Sequence, residues 1–253
     1  MNYIGLWTVY KREIFRLKRI LGQAIIFPIV STVLYFVVFG AALGETINEI
    51  QGVTYAAYII PGLVMLSLIQ ISLSAAAFTV YMPKFLGHIY ELLSAPLSYL
   101  EICMGFVLAS MSRAFVVVAI IMMVSLAFVS YSILYPMFTV LFMVLVSLSF
   151  ALLGFIVGLV SKTFDQLSLA PNFIITPLSF LGGIFYSIEI LPPFWQTVSL
   201  FNPFVYMING LRYGFYGITD VSPVLCLSVV VGFCVINLMI ILWIFRTGYR
   251  LRS

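Results

Sequence analysis

The sequence predicts an all-α integral membrane protein with six transmembrane helices, and three observations lead there. Of the 253 residues, 64% are hydrophobic and only 8% are charged, against roughly 25% charged in a soluble domain, so no polar skin could cover a water-soluble globule of this size. The apolar residues gather into runs long enough for the roughly 20 residues that about 30 Å of hydrocarbon requires. The cations are also unevenly placed. Lys11, Arg12, Arg16, Lys18, Arg19, Lys84, Lys162, Arg246, Arg250 and Arg252 all fall on one side of a six-span layout, the bias that marks a cytoplasmic face. Only Arg212 falls on the other side, and Arg113 lies within span three. Both termini are therefore expected in the cytoplasm. The net charge of +4 reads as topology and not as a nucleic-acid surface. An ordinary soluble enzyme, a disordered segment and a disulfide scaffold are excluded.

The elements follow in order within one domain, 1–253. Residues 1–21 carry Tyr3, Trp7, Tyr10, Ile14, Leu17 and Leu21 at alternating spacings of four and three, with the five basic residues on the opposite face. Such a helix is expected to lie in the interfacial plane, apolar side in lipid. Span one is expected from Gly22 to Leu43. Its apolar run exceeds the 7–15 residues of a signal-peptide core and follows a basic helix, so it reads as an uncleaved span. Span two is expected from Tyr55 to Tyr81, span three from Ile102 to about Val129, and span four from a turn ending at Pro136 to near Val160. Span five covers about Leu167 to Ser187, interrupted by Pro171, Pro177 and Gly182-Gly183, and closes the segment 22–187. Span six runs from Pro223 to Phe245, and 246–253 is a cytoplasmic tail.

Residues 188–222 are too long for a turn and too broken for a span. Pro192-Pro193 and Asn202-Pro203 each read as a helix start, with proline in the first turn. Two short re-entrant helices are expected, dipping into the outer leaflet and returning, because non-helical backbone at that depth must be covered by protein or line a cavity. Phe194, Trp195 and Tyr206 would then sit at the outer interface, as an outer gate above the end of span five.

The chemistry-bearing residues are few. There is no G-x-x-x-x-G-K-[ST] loop for a nucleotide. His88 stands alone in a loop without metal-ligand spacing, and no carboxylate pair sits within a span to carry protons. Cys103, Cys226 and Cys234 lie in apolar runs without C-x-x-C spacing and read as small core or lipid-facing residues. The chain thus has neither motor nor catalytic centre, and no metal or cofactor is expected on it. The largest cytoplasmic loop, 82–101, holds a short helix with Glu91, Leu92 and Leu93, stopped before Pro96, which suits a docking point. In span two Ser67, Gln70, Ser74, Ala77 and Tyr81 share a face; in span five Ser168, Asn172, Thr176, Ser179 and Gly183 do. Such hydroxyls and amides face protein or a pathway, not lipid. Ser147, Ala151, Gly154, Gly158 and Ser161 in span four form a small-residue packing stripe. Arg113, eleven residues into span three, is an intramembrane cation and so a candidate for pathway or structural duty.

The stretch from "SKTFD" through "PNFIITPLSFLGGIFYSIEILPPFWQ" to "NPFVYMINGLRYGFYGITD" resembles the ABC-2 family of permease subunits, most closely its YadH-type bacterial inner-membrane permeases. The spacing from Leu181-Gly182 through Leu191-Pro192 to Pro203-Phe204, Tyr206 and Arg212 looks like the family signature, and "ELLSAP" resembles its coupling helix. The resemblance implies an ABC-2 (type II exporter-like) transmembrane domain that pairs as a dimer in a bacterial inner membrane. Each copy would dock a cytoplasmic ATPase subunit that holds the ATP and Mg. It implies export of drugs, lipid-linked glycans or other amphipathic compounds. By the same resemblance the N-terminal helix, with Lys11 and Arg12, and the Glu91–Pro96 loop touch the ATPase, and spans two and five, with Gln70, Ser74, Asn172 and Thr176, border the pathway. From the residues alone, a secondary carrier and a non-transport assembly or anchoring protein stay open. A carrier should show internal repeats and ionisable residues at midplane; there is no clear repeat, and Arg113 is the only such residue.

Overall fold

The computed structural model describes residues 2–43, 49–87 and 96–247. Helix α1 (Tyr3–Tyr35) continues as π-helical turns over Phe36–Leu43. A small antiparallel hairpin follows, β1 (Glu49–Ile50) and β2 (Val53–Thr54), with Glu49 opposite Thr54. Its two-residue turn, Gln51-Gly52, has positive φ at both positions, as the hairpin twist demands. Then come α2 (Tyr55–Phe85), α3 (Tyr99–Leu126) and α4 (Pro136–Val160). A composite helix follows, made of α5 (Phe164–Leu169), a π segment (Ala170–Ile175) and α6 (Thr176–Leu181). A 3-10 turn (Ile188–Ile190) leads to α7 (Pro193–Leu200), α8 (Pro203–Tyr216) and α9 (Pro223–Thr247).

Among the described residues four helices are long and apolar enough to cross a membrane: α2, α3, α4 and α9. They match expected spans two, three, four and six with ends shifted by a few residues. The other two expected spans take different forms. The break expected between residues 21 and 22 is absent: α1 runs unbroken through both the basic stretch and the apolar one. Leu, Arg, Lys, Ile and Ala are good or adequate helix formers, and a single Gly22 does not stop a helix that meets no proline before Pro28. The first half of α1 runs along α3, with the Asn2 amide donating to Glu101 Oε1, the Tyr10 hydroxyl 3.0 Å from Ser112 Oγ, and Glu13 and Arg16 level with Arg113. Expected span five is helical over 164–181 but broken in character. Pro171 and Pro177 remove two backbone donors, and the turn between them widens to π geometry, a common response to lost ladder bonds.

α2 is the centre of the bundle. Tyr58, Ile59, Ile60, Leu63, Met65, Leu68 and Ile69 are buried all around it. α4 packs beside it in the same direction, with Ser72 and Ser147 hydroxyls 2.8 Å apart. The small-residue stripe of α4 faces this contact: Gly154 lies against the Leu73 carbonyl and Ala76, and Gly158 against Ala77 and Val80. The composite helix runs antiparallel along α2, from Leu167 near Tyr81, past Thr176 at Gln70, to Ile184 at Gly62. α9 closes the far side, with Asn237 Nδ2 donating to the Ser149 carbonyl at 3.2 Å and Phe245 stacked on Tyr99.

Candidate functional site

Two polar stripes meet at one bond. Gln70 Nε2 of α2 donates to Thr176 Oγ1 of α6 at 3.2 Å. The Thr176 hydroxyl in turn donates to the Pro171 carbonyl at 2.9 Å, across the π segment. That segment both re-aims the helix and supplies the acceptor, so the prolines that interrupt the helix also fix the side chain that reaches α2. One turn away on each helix, Ser74 and Asn172 are exposed. On the other side of Gln70 a cavity of about 200 Å³ opens between α1 and α2. Phe27, Pro28, Leu63, Leu66 and Ile71 make its apolar wall, and Ser31, Ser67 and Gln70 its polar edge. Among the described residues no charged one lines it. The volume is below the roughly 300–1,000 Å³ of a whole small-molecule site.

The two short helices after the composite helix form an elbow. Asn202 makes the bend: its Oδ1 caps α8 at the Phe204 amide, 3.0 Å, and its Nδ2 donates to the Leu178 carbonyl, 2.6 Å. Phe204 packs on Phe150, in the middle of α4, while Gly214 lies against Thr139 and the Tyr216 hydroxyl reaches the Ala57 carbonyl, 2.8 Å. The elbow therefore reaches the level of the middle of α4, about 21 Å from that helix's start at 1.5 Å per residue, and α8 returns to its first turn. Phe194 and Trp195 are exposed on α7 and meet edge to face at 5.5 Å. Tyr206 is on α8, its hydroxyl donating to the Leu200 carbonyl at 2.7 Å, so it braces the elbow while the other two face outward.

Arg212 corrects the charge count. It is fully buried, not a loop cation in water. Its Nη2 donates to the Gly183 carbonyl at 2.8 Å and its Nη1 to Asn209 Oδ1 at 3.4 Å, with Asp220 at 4.0 Å. Its guanidinium carbon lies 3.9 Å from the centre of the Tyr58 ring. Asp220 also accepts from Ser187 Oγ, the Ile188 amide and Gln51 Nε2 at 2.9, 3.2 and 3.0 Å. This buried knot joins α2, the hairpin, the 3-10 turn and α8.

Of the residues expected to couple to a motor, Glu91, Leu92 and Leu93 lie outside the described residues. Pro96 is exposed at the start of α3, beside Leu97, which packs at Gly5 of α1. Lys11 and Arg12 are exposed on α1 and follow Tyr10, whose hydroxyl meets Ser112 farther along α3. Arg113 is not with the other pathway candidates. It lines a separate cleft with Glu13 and Arg16 of α1 and Thr79 of α2. Glu13 itself went unread in the sequence. Surrounded by basic residues on an apparently cationic face, it is buried, with ion pairs to Arg12 at 3.1 Å and Arg16 at 3.3 Å.

The profile of the family described as ABC-2 type transporter matches residues 5–216. The chain is 39% identical over 253 residues to the inner membrane transport permease YadH of Escherichia coli K12, covering 100% of this chain and 99% of that protein. It is 25% identical over 246 residues to nodulation protein J of Rhizobium leguminosarum bv. trifolii, covering 92% and 90% of the two chains. To nodulation protein J of Neorhizobium galegae it is 24% identical over 243 residues, covering 93% and 91%. The match runs through α1, the Gln70–Thr176 contact and the elbow up to Tyr216, and the chain belongs to the ABC-2 type transporter family.

Proposed function

We propose that this chain is the membrane-spanning permease subunit of an ATP-binding cassette exporter in a bacterial inner membrane. It works as a dimer with a second copy of itself. A separate cytoplasmic ATPase subunit binds ATP and Mg and drives it, so the permease catalyses no reaction. The substrate is amphipathic or lipid-linked. The observation that carries this reading is the Gln70–Thr176 bond beside the cavity between α1 and α2. Amides and hydroxyls within apolar helices are expensive unless they meet each other or a water-accessible path, and here they do the first at the edge of the second. Ser74 and Asn172 continue that polar strip, and the apolar wall from Phe27 to Ile71 suits the tail of an amphiphile.

In this reading the chain crosses six times, with residues 22–43 as the first span and the composite helix as the fifth. The antiparallel run of that helix along α2 supports a crossing. The elbow of α7 and α8 is re-entrant from the outside and carries Phe194, Trp195 and Tyr206 as the outer gate. A reporter fused after Ser253 is expected to read cytoplasmic and one inserted near Asp220 external. The same side for both would sink the six-span layout and the gate with it.

The Glu91–Pro96 loop, together with Lys11 and Arg12, docks the ATPase. Co-expressed with its ATPase subunit, the wild-type chain should co-purify with it. Glu91→Arg should leave the fold and basal hydrolysis intact while abolishing export. If hydrolysis stays coupled to export in that variant, the docking contact lies elsewhere.

A further inference from the structure

Arg113 is the one arginine in the middle of a long apolar helix, and its surroundings do not neutralise it. Its Nε is buried without a hydrogen-bond partner among the described residues, and no carboxylate among them lies within ion-pair distance of it. Glu13, the only acid among the described residues of the cleft, is already shared between Arg12 and Arg16. Arg16 lies over the Phe78 ring, 5.3 Å to its centre, on the opposite wall. Three cations, Arg12, Arg16 and Arg113, thus stand about a single carboxylate. An orphaned donor on a desolvated cation is costly, and the cleft, with Thr79 in its wall within two turns of the end of α2 at Phe85, calls for an anion reaching in from that end.

We infer that the cleft between α1, α2 and α3 seats the phosphate of an anionic phospholipid of the inner leaflet, held by Arg113 and Arg16. The interior space of about 20 Å³ has room for one water-sized group. One phosphate oxygen enters it and accepts from Arg113 while the headgroup stays at the rim. A planar guanidinium matches phosphate oxygens better than any other side chain. The half-exposed Arg16 reaches the same group from α1, and its flexible stem lets the charge snorkel toward the interface. Val116, one turn beyond Arg113, is exposed and offers apolar surface to an acyl chain. A choline headgroup would bring a further cation up to Arg16 at the rim, so a net-negative lipid is selected over a zwitterionic one. The lipid thereby becomes a clamp between the first half of α1 and α3.

The test uses the full-length permease in discs of phosphatidylcholine containing a minor fraction of phosphatidylglycerol. Native mass spectrometry counts the lipids that remain bound after release. Wild type should retain one phosphatidylglycerol with at least about tenfold preference over phosphatidylcholine. Arg113→Gln should erase that preference, Arg113→Lys should keep most of it, and Lys11→Gln, outside the cleft, should leave it unchanged. Circular dichroism and a monodisperse elution profile certify each variant's fold, and Arg16→Gln, expected to lower the preference from the α1 wall, carries the test if Arg113→Gln fails to fold. No preference in wild type would mean that water alone fills the cleft, and would overturn the inference. So would equal loss in Lys11→Gln, which would make the effect a general basic surface. Displacement of the bound lipid by millimolar inorganic phosphate would assign the site to a free anion and overturn the lipid.

Discussion

Arg212→Leu is expected to lower the melting temperature of the purified permease by roughly 10 °C and to reduce its membrane yield sharply. Arg212 and Asp220 are almost wholly buried, with side-chain exposures of 1% and 4%. Removing one partner of a buried pair costs about 3–5 kcal/mol, because the other charge stays desolvated, and each kcal/mol shifts a chain of this size by about 2–4 °C. The leucine would also strand the Gly183 carbonyl, which accepts from Arg212 at 2.8 Å, and leave the Tyr58 ring without the cation at 3.9 Å. Arg212→Lys keeps the charge but not the planar fork that spans Gly183, Asn209 and Asp220, so an intermediate loss is expected. A leucine variant that melts with the wild type would show that the knot does not hold the elbow to α2.

Gly154→Leu should have an effect of similar size by a different route. A side chain at 154 would run into the Leu73 carbonyl and come within 3.0 Å of Ala76 Cβ. One turn on, a Cβ at Gly158 would stand 2.5 Å from the Ala77 carbonyl. Backbone carbonyls cannot turn aside as side chains can, so α2 and α4 would have to separate. Overpacking a tight contact costs about 1–3 kcal/mol or more, and separation would also break the Ser72–Ser147 bond. Gly232→Leu on α9 is the matched control, because nothing lies within 4 Å of a Cβ there. Equal unfolding temperatures for the two variants would disprove the close approach.

Much of this bundle was legible in the sequence. Four long apolar runs became α2, α3, α4 and α9, because length and hydropathy are properties of the local chain. The two helices of the elbow begin at Pro193 and Pro203, where proline in a first turn costs nothing. The small-residue stripe of α4 met a neighbour. Partners distant in sequence were not legible. Arg212 sits on Tyr58 and bonds Gly183, and no local pattern announces either. The polar faces of spans two and five were visible separately, but only the fold joins Gln70 to Thr176. Glu13 was hidden by its neighbours, since a basic run reads as one solvated face whatever single acid it contains. The unbroken α1 was missed for the opposite reason. A change from basic to apolar composition looks like a boundary, yet no residue there ends a helix.

That unbroken helix has a mechanical consequence. From Tyr3 to Phe27 it is a proline-free rod about 37 Å long, fastened at its base where Asn2 meets Glu101. A tilt of about 5° over that length carries its upper end through about 3 Å. At that end Phe27 and Pro28 form one wall of the crevice beside Gln70. A lever arm this long turns a small rotation at the foot of the bundle into a displacement of about 3 Å at that wall. Pro28, without the N–H that would brace its turn, stands where that proline-free stretch ends.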